Sequence, residues 1–275
     1  MGELPLIIFT LCMQAAIGIL VFTMVLKKLQ KDQDYKIAAL IATCLSVVGI
    51  IASLLHLGTP TLALNSLLNL GSSWLSLEIL FSGGFTGLVV IYTILVYKKA
   101  EAKSLISIVG WITSTVGFVD VFIMAKVYLA TSVHLWKSSN TLIEFYTTMI
   151  IFGISILLVT NVKNMNGKIR KYLAICVFVA VAVQVAFVIP YYMELGLMGG
   201  AATASATILF GKYFLIVGHW LLLILGSGIL LLLISAEGKS GLSKYYVTVT
   251  AISLGLIIGR YLFYVAMVAS RVGLT

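Results

Sequence analysis

Apolar residues run along this chain in long unbroken blocks, with little alternation of polar and apolar positions. A hydrocarbon core about 30 Å thick takes about 20 helical residues to cross, and eight blocks have that scale. They are Leu4–Leu26, Ile37–Leu55, Trp74–Tyr97, Leu105–Ala130, Phe145–Val162, Tyr172–Tyr192, Tyr213–Ile234 and Tyr245–Ala269. Their continuity and length exclude a β-barrel, whose strands alternate and are shorter. The pattern predicts an all-α integral membrane protein with eight transmembrane helices. The first block carries no charge and no basic leader precedes it, so it reads as a span and not as a cleaved signal peptide. With no internal repeat and no break in composition, residues 1–275 read as a single transmembrane domain.

Two connections are unlike the others. His56 to Ser73 carries no charged residue besides the histidine, yet holds Gly58, Pro60, Asn65, Asn69 and Gly71. Such a stretch is long for a connector and too polar to face lipid, which suits a re-entrant piece or a surface segment under a partner. Met193–Lys212 is similar, with Gly196, Gly199, Gly200 and the small-residue run Ala201–Ala206, and is expected as a second long loop.

Composition agrees with the blocks. Of 275 residues, 61% are hydrophobic and 10% charged, against about 45–50% and about 25% in soluble domains. The net charge of +9 would suggest nucleic acid in a soluble protein, but here the basic residues sit between apolar blocks. Of 18 Lys and Arg, 13 follow the first, third, fifth and seventh blocks, from Lys27 to Lys36, Lys98 to Lys103, Lys163 to Lys171 and Lys239 to Lys244. The positive-inside rule makes those four loops cytoplasmic and turns both termini outward. Cys12, Cys44 and Cys176 each stand alone in an apolar block, with no spacing that would ligate zinc or an iron–sulfur cluster.

Charge inside a span costs at least about 2.5–3.5 kcal/mol on insertion scales and is a functional candidate by default. Four such residues occur: Glu78, Asp120, Lys126 and Arg260. Glu78 lies about 6 Å below the outer start of the third span and Arg260 about 14 Å from the outer end of the eighth, while His56 caps the second. The three therefore gather in the outer half of the membrane from helices of different direction. Quinol oxidation removes two electrons and two protons, and the ring hydroxyls need acceptors within hydrogen-bond reach. An imidazole titrates near neutral pH and a carboxylate accepts a proton, so this trio suits a quinol site. The competing reading is an ion pair between Glu78 and Arg260 that only joins two helices. Asp120 and Lys126 are six positions apart, about 240° around the helix, and are not expected to pair. His219 sits about 9 Å deeper than His56, which argues against a shared b-type haem. His134, beside Trp136, reads as interfacial.

The stretches Ser53-Leu-Leu-His56-Leu-Gly58-Thr-Pro60, Ala63-Leu-Asn65-Ser66-Leu67 and Ser76-Leu77-Glu78-Ile79 resemble the membrane anchor subunit of dimethyl sulfoxide reductases. The opening Glu3-Leu-Pro5-Leu-Ile-Ile-Phe9-Thr10 and the closing Ile258-Gly259-Arg260-Tyr-Leu-Phe263-Tyr264 resemble it too. The resemblance implies an anchor in the bacterial inner membrane for a molybdopterin catalytic subunit and an iron–sulfur electron-transfer subunit. It implies oxidation of menaquinol, with electrons passed to the iron–sulfur subunit. It also implies no haem, with molybdopterin and iron–sulfur clusters held only by the partners. On that likeness His56 and Glu78 are the catalytic positions, and Arg260, Asn65 and Ser53 join them in binding quinol. Three positions depart from the family pattern: Leu62 stands where an Arg is common, Leu256 where an acid can occur, and Leu77 where a polar residue often precedes the Glu. Neighbouring readings are an anchor serving another terminal acceptor, a transporter of small molecules or ions, and an anchor with no quinol site. Nucleic acid is not an expected partner; membrane lipid is.

Overall fold

Eight helices long and apolar enough to cross a membrane make up a computed structural model of the protein, which describes residues 3–30, 33, 35–55, 65, 69–161, 164–235 and 242–270. They are α1 (Leu4–Leu29), α2 (Lys36–Leu55), α3 (Trp74–Lys98), α4 (Lys103–Leu129), α5 (Ser139–Asn161), α6 (Gly167–Leu195), α8 (Tyr213–Ser235) and α9 (Leu242–Val265). A short helix, α7 (Gly200–Phe210), and a 3-10 turn, His134–Trp136, lie between them. Among the described residues there is no strand, only an isolated bridge between Val133 and Ala269. In sequence the helices pack neighbour on neighbour, with α6 meeting α8 directly. The end where α1 starts and α9 finishes is called upper here; the lysine clusters after α1, α3 and α5 lie at the lower end.

The core is organised by α1. It touches α2, α4, α5 and α9, and it is the most buried of the eight spans. A helix enclosed all round needs apolar residues all round, and Leu4–Leu26 holds no charge. Its approach to α5 is backbone on backbone. A Cβ at Gly18 would fall on the Met149 carbonyl and within 3.0 Å of Gly153 Cα, and one at Gly153 would fall on the Gly18 backbone. Small residues that let two helices meet this closely are a common device in lipid, where burial of apolar surface no longer drives association. The outer faces of the remaining helices stay apolar and exposed, as Ile51, Ile94 and Leu232 are, because their solvent is hydrocarbon.

The structure departs from the sequence expectation at three helix boundaries and in one loop. Helix α5 begins at Ser139, six residues before the apolar block, so Glu144 lies inside the span. Helix α6 continues through Pro190 to Leu195. Helix α9 ends at Val265, which leaves Arg260 five residues, about 8 Å, from its upper end, nearer the level of Glu78 than expected. The expected loop Met193–Lys212 is largely helix. Gly199 and Gly200 take φ of 78° and 57°, and the Thr203 hydroxyl accepts from Gly199 N–H at 2.9 Å and donates to Gly196 O at 3.2 Å. This turn starts α7, whose Ala202, Ser205, Ala206 and Leu209 form one buried face. Of the stretch His56 to Ser73, residues 56–64 and 66–68 lie outside the described residues. Ser73 caps α3, its hydroxyl accepting from Ser76 N–H.

Gly18→Val should destabilise the folded bundle by about 1–3 kcal/mol through overpacking, read as a fall in the melting temperature of the solubilised protein. Gly83→Ala, where an added Cβ meets nothing within 4 Å, should leave that temperature unchanged.

Candidate functional site

Near the upper end α1, α3, α4, α5 and α9 bring their polar residues to one buried region. Glu78 enters from the second turn of α3. Its neighbours in the helix pattern, Ser82 and Phe85, are buried on the same side, and Glu78 itself is 6% exposed. Its Oε1 has no hydrogen-bond partner. A buried acceptor without a partner is costly and marks a place where another group is needed.

Arg260 enters from α9 and is 1% exposed. It makes no ion pair with Glu78. Its Nη2 donates to Gln14 Oε1 of α1 at 2.8 Å, while Nε and Nη1 have no partner. The guanidinium lies 4.2 Å from the Phe145 ring centre and 5.4 Å from that of Phe263. A desolvated cation over an aromatic face gains about 2 kcal/mol or more, and a hydrogen bond to a charged group about 1.5–3 kcal/mol. Glu144 of α5, half-buried, lies within electrostatic reach of the guanidinium and of Tyr192.

Glu78 and Arg260 are linked through tyrosines. Tyr128 of α4 shares a 2.5 Å hydrogen bond with Tyr264 of α9, and both hydroxyls are buried. Glu78 and Arg260 each lie within electrostatic reach of this pair. Trp136 fastens the wall: its Nε1 donates to Phe263 O at 2.9 Å, its ring stacks on Phe263 at 5.2 Å, and Tyr128 meets it edge-on at 5.1 Å. The 3-10 turn thus pins the end of α9 to the α4–α5 connection, which holds Arg260 over Phe145.

The remaining candidates separate. Asp120 of α4 accepts from the Ser82 hydroxyl, 3.1 and 2.9 Å from its two oxygens. Lys126 points elsewhere, over the rings of Trp74 and Phe122. His219 of α8 is buried against Gly259, with Nδ1 2.7 Å from Gly255 O, and ties α8 to α9. His134 is exposed, Nδ1 2.7 Å from Ser270 Oγ. Ser53 is half-buried near the upper end of α2 and Asn65 is exposed; neither bonds to Glu78 or Arg260. His56 lies outside the described residues. Among the described residues no three His, Cys, Asp or Glu side chains gather as metal ligands, and Cys12, Cys44 and Cys176 are free.

Sequence reasoning missed Gln14, Tyr128, Phe145, Tyr264 and Glu144. Gln14 carried a usable signal, as an amide in the middle of the uncharged first block. So did Tyr264, four positions after Arg260 and hence on its face. Tyr128 and Phe145 are ordinary in a membrane sequence and gain meaning only from what they face.

Comparison with known proteins places the sequence in a family. Residues 1–265 match the family described as DMSO reductase anchor subunit (DmsC). The C subunit of an anaerobic dimethyl sulfoxide reductase from Haemophilus influenzae is 31% identical over 268 residues, covering 95% of this sequence and 94% of that one. The C subunit from Escherichia coli K12 is 34% identical over 157 residues, and the YnfH subunit from the same organism 28% over 155 residues, each match covering 55% of both sequences. With eight apolar helices and a family match along nearly its whole length, this multi-pass membrane protein belongs to the DMSO reductase anchor subunit family.

Proposed function

We propose that this protein is the quinol-oxidising anchor of a respiratory molybdopterin oxidoreductase in the bacterial inner membrane. Menaquinol binds near the upper end, and its electrons pass to an iron–sulfur subunit docked there beside the molybdopterin subunit. The observation that carries this reading is Glu78: a carboxyl group buried under the upper end with one oxygen unpartnered. A quinol ring hydroxyl is a donor of the kind that oxygen lacks.

The chemistry follows from the residues. Oxidation of one quinol releases two electrons and two protons. Glu78 accepts one ring proton and His56, next in sequence after Leu55, accepts the other. The free N–H groups of Arg260 offer donors to a ring oxygen or to a carboxylate near it. Phe145, Trp136 and Phe263 wall the region with flat apolar surface. Electrons need an acceptor cluster close by; the three cysteines stand singly in separate helices, and in this reading the cluster is held by the partner. The lysine-rich lower end supports an extracytoplasmic upper end by the positive-inside rule. The names of the relatives make dimethyl sulfoxide the first acceptor to try; a related acceptor would leave the chemistry of this subunit unchanged. The polar residues gather at one end and not in paired broken helices at the midplane, which disfavours a transporter.

Glu78→Gln and His56→Ala should each lower quinol-linked acceptor reduction by about 100-fold or more. Reduction from a soluble dye by the same membrane-bound complex reports assembly, and unchanged quinol-linked turnover rejects the site. The purified complex should show no haem Soret band; a stoichiometric band overturns the cofactor assignment. In a variant with all three cysteines replaced, an impermeant maleimide should label Leu197→Cys in intact spheroplasts and Lys99→Cys only after lysis. The reverse pattern inverts the orientation.

A further inference from the structure

Asp120 takes no part in the chemistry above, yet it is 0% exposed and lies about 14 Å below the upper end of α4. Its surroundings are ordered by two helical registers. On α3, Ser82 follows Glu78 by four residues, so both share one face. On α4, Tyr128 follows Asp120 by eight residues and shares its face likewise. The two helices run antiparallel in contact, so Glu78 stands between Tyr128 above and Asp120 below. The Ser82 hydroxyl reaches both Asp120 oxygens, and its single proton serves one of them at a time.

Among the described residues no cation is assigned to this pair of acids. Lys126, on α4 itself, lies over Trp74 and Phe122. From α1 come the uncharged Thr10 and Gln14, and from α9 come Arg260, bonded to Gln14, and Tyr264, bonded to Tyr128. From α5 come Glu144, near Arg260, and Tyr146, whose hydroxyl donates to Phe118 O at 3.0 Å. Glu78 and Asp120 lie within electrostatic reach of each other. Two neighbouring acids shielded from water with no cation between them share protons and do not both carry charge.

We propose that Asp120 is a second proton station behind the quinol site, taking through the Ser82 hydroxyl the proton the two acids share and so freeing Glu78 to accept one from the quinol. This rests on the quinol reading of Glu78. Ser82 gives its proton to Asp120 and takes that of Glu78, so one O–H bond forms at Asp120 as one breaks at Glu78; an O–H bond then breaks at the ring oxygen and one forms again at Glu78. The two electrons leave to the iron–sulfur subunit, and His56 takes the other proton. Asp120 thereby puts Glu78 in its accepting form while the reduced ring is bound. After the ring departs, the stored proton returns through Glu78 to the upper end.

The test compares quinol-linked and soluble-dye turnover of the whole complex across pH. Asp120→Asn should lower quinol-linked turnover about tenfold and remove one limb of its pH profile, and Asp120→Glu should restore both in part. Quinol-linked turnover of Asp120→Asn within about twofold of the parent, with an unaltered profile, overturns the proposal. If Asp120→Asn fails to assemble, Ser82→Ala decides: a shifted quinol-linked profile with an unshifted dye profile supports the relay, and two unshifted profiles overturn it. Glu78→Gln in the same preparation separates the two claims. If it retains quinol-linked activity, the quinol reading fails; if it loses activity while Asp120→Asn keeps it, only the second station fails.

Discussion

The Arg260 guanidinium lies on an aromatic ring and not on a carboxylate, and the upper half of the bundle is shaped by that choice. A fixed cation buried among helices must be met by something, or it would be expelled to an interface. Here Phe145 of α5 meets it with a π face, Gln14 of α1 with a carbonyl oxygen, and Glu144 with charge at longer range. Two helices, α1 and α5, are thus committed to one residue of a third. Because Arg260 is not neutralised by Glu78, that carboxyl group stays chemically available. An ion pair between them would have given a rigid strut and no proton acceptor.

The aromatic wall does the aligning. Trp136, Phe263, Tyr128 and Tyr264 contact one another edge-on or stacked, and hydrogen bonds lock Trp136, Tyr128 and Tyr264 in place. Such packing restricts side-chain motion without adding charge, so it positions Arg260 while leaving the electrostatics of the site to Glu78, Asp120 and Glu144. Along α3 and α4 polar residues recur on the faces that meet, at Glu78 and Ser82 against Tyr128 and Asp120. Along α1 the same depth holds only Thr10 and Gln14. The polar half of the site is therefore one seam, with the apolar α1 as its backing.

Much of this is readable in the sequence. The eight spans follow from uninterrupted apolar blocks, because lipid demands them of any helix that crosses it. Glu78, Asp120 and Arg260 stand out because charge in such a block is expensive. Boundaries are less legible. Glu144 falls outside the fifth apolar block because hydrogen bonding, and not apolarity, sets where α5 begins. Helix α7 escapes notice because eleven mostly small residues satisfy no length rule, and its start depends on two glycines and the Thr203 hydroxyl. The partners of Arg260 are illegible for a different reason: Gln14 and Arg260 are 246 positions apart, and a cation's choice between an acid and a phenyl ring is a tertiary fact.

The central position of α1 bears on how the protein is made. It leaves the ribosome ahead of α4, α5 and α9, which enclose it and follow it in the sequence. Until α5 arrives, the Gly18 groove faces lipid or the insertion machinery with nothing in it. A helix that must wait in that way has to be stable in the bilayer alone. One amide is tolerable there where an acid would not be, and the arginine that needs α1 is carried by α9, which follows both α1 and α5, so its π face and its amide are already in place.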